Sequence, residues 1–177
     1  MLKKYLITVI IPLSAHAAII SGSPFDTTDA PLPAYINTHH EKAIYVDPAY
    51  HFYGAYNKEG KLIRWGIATT GANDCRGETG NCRTQVGHFR IYSLGNEQCV
   101  SSKYPSPTGG APMPYCMFFA GGQAIHGSDD VQSSNISHGC VRVHVSDAKW
   151  LRYHFVEAPN KTNAYHGTPV IIGPYIQ

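Results

Sequence analysis

Ala124-Ile125-His126-Gly127 and, beginning eleven residues after that histidine, Ser137-His138-Gly139-Cys140-Val141-Arg142-Val143 are the stretch on which the reading of this chain turns. It sets one cysteine near two histidines, with a glycine immediately before the sulfur-bearing residue. A free thiol with a pKa of about 8.5 is only a few per cent ionised at neutral pH, so a nucleophilic cysteine needs a base or a positive charge beside it. His126 and His138 are the bases on offer. Gly139 permits a tight turn and close approach by a substrate backbone. Main-chain amides around such a turn can stabilise an oxyanion during acyl transfer. The alternative is a buried structural cysteine beside ordinary loop histidines, and a lone Cys–His pair does not decide between the two.

Outward from this stretch the chain reads as short strands and turns. Residues 42–46 (KAIYV), 51–56 (HFYGAY) and 62–68 (LIRWGIA) have strand character, and the turn Asn57-Lys58-Glu59-Gly60 makes the last two a hairpin. Further strands are predicted at 87–92, 115–119, 123–125, 141–145 and 170–172. One helix is well marked: Ser146 as N-cap, Asp147 at the positive helix start, then Ala148, Leu151, Arg152 and Phe155. The chain has 177 residues, which favours one domain, and no repeat or linker follows residue 40. With 43% apolar and 15% charged residues it is globular, and 17 Gly, 12 Pro and 12 Tyr favour strands joined by turns over a helical bundle. The expected architecture is a mainly β domain over residues 40–177 with one or two short helices. Residues 18–39, rich in Pro, Ser, Thr and Asp, are expected to form an unstructured lead-in. Tyr115, Trp65 and Trp150 read as core residues, not as sugar platforms.

Residues 1–17 read as a signal peptide. MLKK is a basic start, YLITVIIPLSA is an apolar run, and Ala15-His16-Ala17 fits the small-x-small cleavage pattern, with cleavage near Ala17. The run is well short of the roughly 20 residues that span a bilayer, and Pro12 suits a signal better than a spanning helix. No cysteine stands directly after the cleavage site, so no lipid anchor is expected. The location implied is the periplasm or the exterior, with no membrane span after signal removal. Without Lys3 and Lys4 the basic and acidic residues balance, which removes the electrostatic ground for nucleic acid or an anionic membrane as main partner.

Five cysteines in an exported chain leave one unpaired if the rest pair. Cys75 and Cys82 flank a short loop rich in Gly, Asp and Asn that can turn back on itself. Cys99 and Cys116 bracket a Pro- and Gly-rich segment, which a disulfide there would tie down. Cys140 is then the free thiol. Zinc is the competing reading for Cys75 and Cys82, but their spacing is not a usual one and no second ligand pair completes four ligands. No metal and no cofactor are expected.

Ile125-His126-Gly127 followed by SHGCVRV resembles the signature of the L,D-transpeptidase family, the YkuD-like catalytic domain. Ala68-Thr69-Thr70-Gly71, Thr84-Gln85-Val86-Gly87-His88-Phe89, Gly109-Gly110-Ala111-Pro112-Met113-Pro114-Tyr115 and Gly167-Thr168-Pro169-Val170 are similar to further family segments. The resemblance runs over roughly residues 40 to 173 and implies the family's β-sandwich. Two departures stand out. Gln85 and Val86 replace the usual Pro and Thr, and the His126–Cys140 interval is shorter than usual, which implies a trimmed loop with altered substrate contacts.

The resemblance implies that Cys140 is the acylated nucleophile and His126 its base, with the Gly127 carbonyl orienting the other ring nitrogen. Ser137, His138 and Gly139 would shape the oxyanion region, with the Gly139 and Cys140 amides as donors. Arg142 would hold a substrate carboxylate or form a structural ion pair. The substrates implied are peptidoglycan stem peptides, the products 3-3 cross-links or a wall-linked lipoprotein. A hydrolase of the same family and a non-enzymatic wall-binding or host-contact module are the other readings. The intact His126 and Cys140 weigh against the last.

Overall fold

The computed structural model describes residues 23–75, 81–105 and 107–176; the expected signal peptide, 1–17, lies outside them. In chain order the strands are β1 (Ala43–Asp47), β2 (Phe52–Tyr56), β3 (Leu62–Ile67), β4 (Thr70–Gly71), β5 (Gly87–Arg90), β6 (Ser93–Leu94), β7 (Met117–Ala120), β8 (Gln123–Ser128), β9 (Asn135–Ser137), β10 (Val141–His144) and β11 (Pro169–Ile172). The helix α1 (Val145–Trp150) runs on into a wider turn over Leu151–Phe155.

Two sheets face each other. The first has the order β3-β2-β1-β11-β5 and the second β10-β8-β7-β6, while β4 and β9 pair separately. Strand β1 pairs antiparallel with β2 and parallel with β11, and β10 pairs parallel with β8. The alternation within each strand explains the layering. Ile44, Val46, Tyr53, Val170 and Ile172 from the first sheet meet Met117, Phe119, Ile125, Val141 and Val143 from the second in one buried cluster. Ala148, Leu151 and Phe155 close that cluster from the helical side. The mainly β sandwich expected from the sequence is the fold observed. Strands of two or three residues, β4, β6 and β9, carry too little pattern to be read from sequence.

The helix start differs from expectation. Helix α1 begins at Val145, directly out of β10, with His144 in the N-cap position and no side-chain cap. Ser146 therefore lies inside the first turn. Asp147 does not serve mainly as a charge at the helix start: it is buried and ion-paired with Arg64, Oδ1 to Nη2, at 2.5 Å. A tertiary partner has overridden the local capping signal.

Residues 23–39 carry no helix and no named strand, but they are anchored rather than loose. Leu32 is buried with Tyr56, Leu62 and Trp65 in a second cluster. Tyr56 Oη donates to the Pro33 carbonyl at 2.8 Å, and Trp65 Nε1 to the Asp26 carbonyl at 2.7 Å. The main chain is clasped too, Leu62 N–H to Ala34 O and Ile36 N–H to Gly60 O. Trp65 and Tyr115 are core residues as expected, and Trp150 packs edge-on to Phe25.

Both expected disulfides are present, Cys75–Cys82 and Cys99–Cys116, and Cys140 is the free cysteine. The disulfide removes the zinc alternative at Cys75 and Cys82. Among the described residues, no group of three or more His, Cys, Asp or Glu is arranged to hold a metal.

Candidate active site

Strands β8 and β10 build the site. Their parallel register sets Val141 against Ile125 and Arg142 against His126. Paired residues share a face and residues two apart on a strand share it as well. Val141, Val143 and Ile125 therefore enter the core, while Cys140, Arg142 and His126 lie together on the other face. The apolar alternation that buries one side of β10 is what aims the thiol and the guanidinium to the opposite side.

Two cavities meet at Cys140. One, of about 490 Å³, is bordered by Gln85, Val100, Phe118, Gly122, Gln123 and the Cys75–Cys82 disulfide. The other, of about 220 Å³, is bordered by His126, Ser137, Arg142, Asp130 and Pro112. Cys140, His138, Ser101, Tyr104 and Met113 line both. The last three come from the segment closed by the Cys99–Cys116 disulfide, which thus forms a shared wall. That segment also reaches β8 directly, since Gly127 N–H donates to the Pro114 carbonyl at 2.8 Å.

His126 is buried, and its Nδ1 lies 2.8 Å from the Gly127 carbonyl. A carbonyl only accepts, so Nδ1 carries the proton and Nε2 keeps a free lone pair. Burial pushes the imidazole down from 6.5 to about 4, the Gly127 bond opposes this, and the Arg142 charge adds to it. The ring is neutral at physiological pH. Burial also pushes the Cys140 thiol above its ordinary value, against a main-chain hydrogen bond from Ala124 and the Arg142 charge. The resting pair is thus a neutral thiol and a neutral imidazole. The thiol points to the Gly122 carbonyl, with sulfur and oxygen 4.0 Å apart.

The turn before Cys140 is tightly held. Ser137 is buried, and its Oγ donates to the Cys140 carbonyl at 2.5 Å and accepts from the Gly139 N–H at 3.1 Å. The second bond engages the Gly139 amide, one of the two expected oxyanion donors. Gly139 has φ +116°, a conformation that side-chain-bearing residues rarely adopt. His138 is exposed and packs at a tilt against Tyr104, with ring centroids 4.5 Å apart. It shapes the cavity wall.

Arg142 forms an ion pair with Asp130, Nη1 to Oδ2, at 2.6 Å. Sequence reasoning left Asp130 unassigned, although it follows His126 closely in Ser128-Asp129-Asp130. Tyr104 was also missed, because nothing local ties a proline-rich loop to a turn 34 residues away. Thr84 belongs to a segment quoted for its resemblance, yet had no role. Its hydroxyl proves to reach the Gly139 carbonyl at 2.9 Å.

The chain matches the YkuD family, described as the L,D-transpeptidase catalytic domain, over residues 41–172. No curated protein matches it. The L,D-transpeptidase of Xylanimonas cellulosilytica superposes with TM-score 0.63 at 24% identity, over 81% of this chain and 66% of that one. The L,D-transpeptidase of Stackebrandtia nassauensis gives TM-score 0.60 at 20% identity, over 83% and 62%. L,D-transpeptidase 3 of Mycobacterium tuberculosis, solved with a faropenem-derived adduct, gives 0.56 at 18%, over 76% and 60%. The chain therefore spans less than two thirds of the length of these structures, and at such identities the likeness establishes the fold alone.

Proposed function

Because the chain belongs to the L,D-transpeptidase catalytic-domain family, we propose that it is an exported cysteine acyltransferase that acts on peptidoglycan stem peptides through a Cys140 thioester. The observation that carries this reading is the meeting of two cavities at one free thiol, with a neutral histidine lining the smaller. A transfer between two substrates needs room on both sides of the nucleophile. Two disulfides support an oxidising compartment, periplasmic or extracellular, and no described helix is long and apolar enough to cross a membrane.

The reaction runs in two acyl transfers. Rotation of the thiol from the Gly122 carbonyl towards the cavity of His126 lets Nε2 take its proton as sulfur attacks the carbonyl of the L-centre third residue of the stem. The developing oxyanion is met by the Cys140 N–H. His126, now protonated through Nε2 and still held by Gly127, donates to the departing terminal D-alanine. An amine of a second stem then resolves the thioester to give a 3-3 cross-link. A lysine of a wall-linked lipoprotein is the other acceptor of this chemical type. Arg142, charged and at the wall of the smaller cavity, draws a substrate carboxylate there.

The test is product analysis with purified tetrapeptide stems, with and without an acceptor amine. Cross-linked product only when acceptor is present supports the transferase. Free tripeptide in both cases supports a hydrolase of the same family. Cys140→Ala is expected to abolish turnover, and His126→Ala to slow acylation by about a hundred- to ten-thousand-fold. A penem or carbapenem should add once, at Cys140, as read by intact mass.

A further inference from the structure

The amide that meets the oxyanion has to be aimed, and no side chain of the nucleophile's own motif bonds to its peptide plane. Of the four main-chain polar groups of Gly139 and Cys140, three are occupied. Ser137 Oγ takes the Gly139 N–H and donates to the Cys140 carbonyl. Thr84 Oγ1 donates to the Gly139 carbonyl at 2.9 Å. The fourth, the Cys140 N–H, has no partner among the described residues. The Gly139–Cys140 peptide is trans, so its C=O and N–H point in opposite directions. Holding the carbonyl on Thr84 therefore turns the Cys140 N–H away from Thr84.

Thr84 is itself fixed from several sides. Its side chain is buried, and its hydroxyl accepts from the Gly71 N–H at 3.0 Å, so both of its hydrogen-bonding roles are used. Its own N–H donates to Tyr175 Oη at 2.9 Å, and Tyr175 Oη donates to the Gly71 carbonyl at 3.1 Å. This close approach needs a glycine: a Cβ at Gly71 would lie 1.9 Å from the Cys82 carbonyl oxygen and 2.5 Å from Thr84 N. Gln123 braces the same loop, accepting from Gln85 N–H at 2.9 Å and donating to the Arg83 carbonyl at 3.1 Å. A threonine 56 residues before the nucleophile is thus the rigid end of a chain that terminates on its peptide plane.

We infer that Thr84, held by Gly71 and Tyr175, is a positioning residue that orients the Gly139–Cys140 peptide so that the Cys140 N–H receives the oxyanion. The inference rests on the acyl-transfer reading above. In the step concerned, sulfur bonds to the carbonyl carbon and the C=O π pair moves onto oxygen. Thr84 touches neither atom and acts only through the peptide plane. Its loss should slow reactions that build an oxyanion and spare those that do not.

Acylation of the full chain by a carbapenem builds an oxyanion; alkylation of Cys140 by iodoacetamide displaces iodide and builds none. Thr84→Val is expected to slow acylation about 10- to 100-fold, less than the hundred- to thousand-fold typical of losing a donor outright. Alkylation should stay within about threefold of wild type, and Thr84→Ser should restore acylation. Tyr175→Phe, which leaves Thr84 in place, should show a smaller loss of the same kind and serves if Thr84→Val fails to fold. Acylation by Thr84→Val at the wild-type rate would overturn the inference. So would a parallel fall in alkylation, or a Thr84→Ser variant as slow as Thr84→Val; where Tyr175→Phe replaces an unfolded Thr84→Val, unchanged acylation overturns it equally. A wild-type chain that alkylates but never acylates removes the acyl-transfer reading itself, and the role of Thr84 with it.

Discussion

Two arginine–aspartate pairs of nearly equal length sit in very different surroundings. Arg64 and Asp147 meet at 2.5 Å with side chains 6% and 7% exposed, whereas Arg142 and Asp130 meet at 2.6 Å with 22% and 55% exposed. The first pair joins β3 to α1, with the Arg64 guanidinium 4.3 Å from the Phe25 ring centroid and 4.8 Å from that of Trp150. The second borders the smaller cavity. Contact distance alone does not separate them. Burial does, because a desolvated charge left without its partner has no water to turn to, while an exposed one does. The inner pair is a structural commitment that also anchors the N-terminal segment; the outer pair can change without unfolding the domain.

The largest effect should come from breaking the inner pair. Asp147→Ala leaves Arg64 buried and unpaired, and is expected to lower stability by about 3–5 kcal/mol in urea denaturation. Replacing both partners, Arg64→Met with Asp147→Leu, should recover most of that loss, because Arg64 Nε already lacks a hydrogen-bond partner. A double variant as unstable as the single one would mean that the pair contributes more than it costs to bury.

His126 extends the comparison to a third buried group that carries no charge at rest. Its folded value of about 4 lies below the unfolded 6.5, so the unfolded chain takes up the proton first as pH falls. Stability from this residue is complete above pH 6.5 and is lost as pH drops towards 4, roughly 3 kcal/mol in all. His126→Gln should flatten that part of the stability–pH curve. Equal slopes in the two proteins would show that the imidazole is not held neutral by burial.

At the outer pair, Asp130→Ala should shift stability by less than about 1 kcal/mol. Its effect belongs to the site. Arg142 pulls the Cys140 thiol down against burial, so Arg142→Gln should raise the pH at which Cys140 becomes reactive to iodoacetamide. Asp130→Asn, which leaves the guanidinium unneutralised, should lower it. Each shift is expected to stay under about one pH unit, since the pair is partly solvated. Movement in the same direction for both variants would contradict a Coulombic origin.

The two pairs also mark where sequence reading succeeds. Arg142 is visible because it stands two residues after Cys140 on a strand whose valines alternate with it. Asp147 is visible too, but as a helix-start charge, since its true partner lies 83 residues away. The lead-in looks formless because Leu32, Pro33 and Phe25 follow no period, yet each meets a residue of a later element. Thr84 illustrates the same limit from within a recognisable segment: its identity is legible, and its bond to Gly139 is not.

The sequence by itself pointed to a mainly β domain, two cysteine pairs and Cys140 as the free thiol, while the two-sheet sandwich and His126 as base came with the family resemblance. The first set follows from short-range patterns, namely period-two alternation, turn residues and cysteine spacing, and the resemblance rests on one compact motif. Tertiary structure alone decided the protonation of the resting pair, because burial and the Arg142 charge arise only once the sheets close. It alone decided which main-chain groups beside Cys140 are engaged, because Ser137 and Thr84 reach Gly139 from different parts of the chain. Hydrogen bonds and desolvation act through space, and the distances they need are set by packing, not by position along the chain.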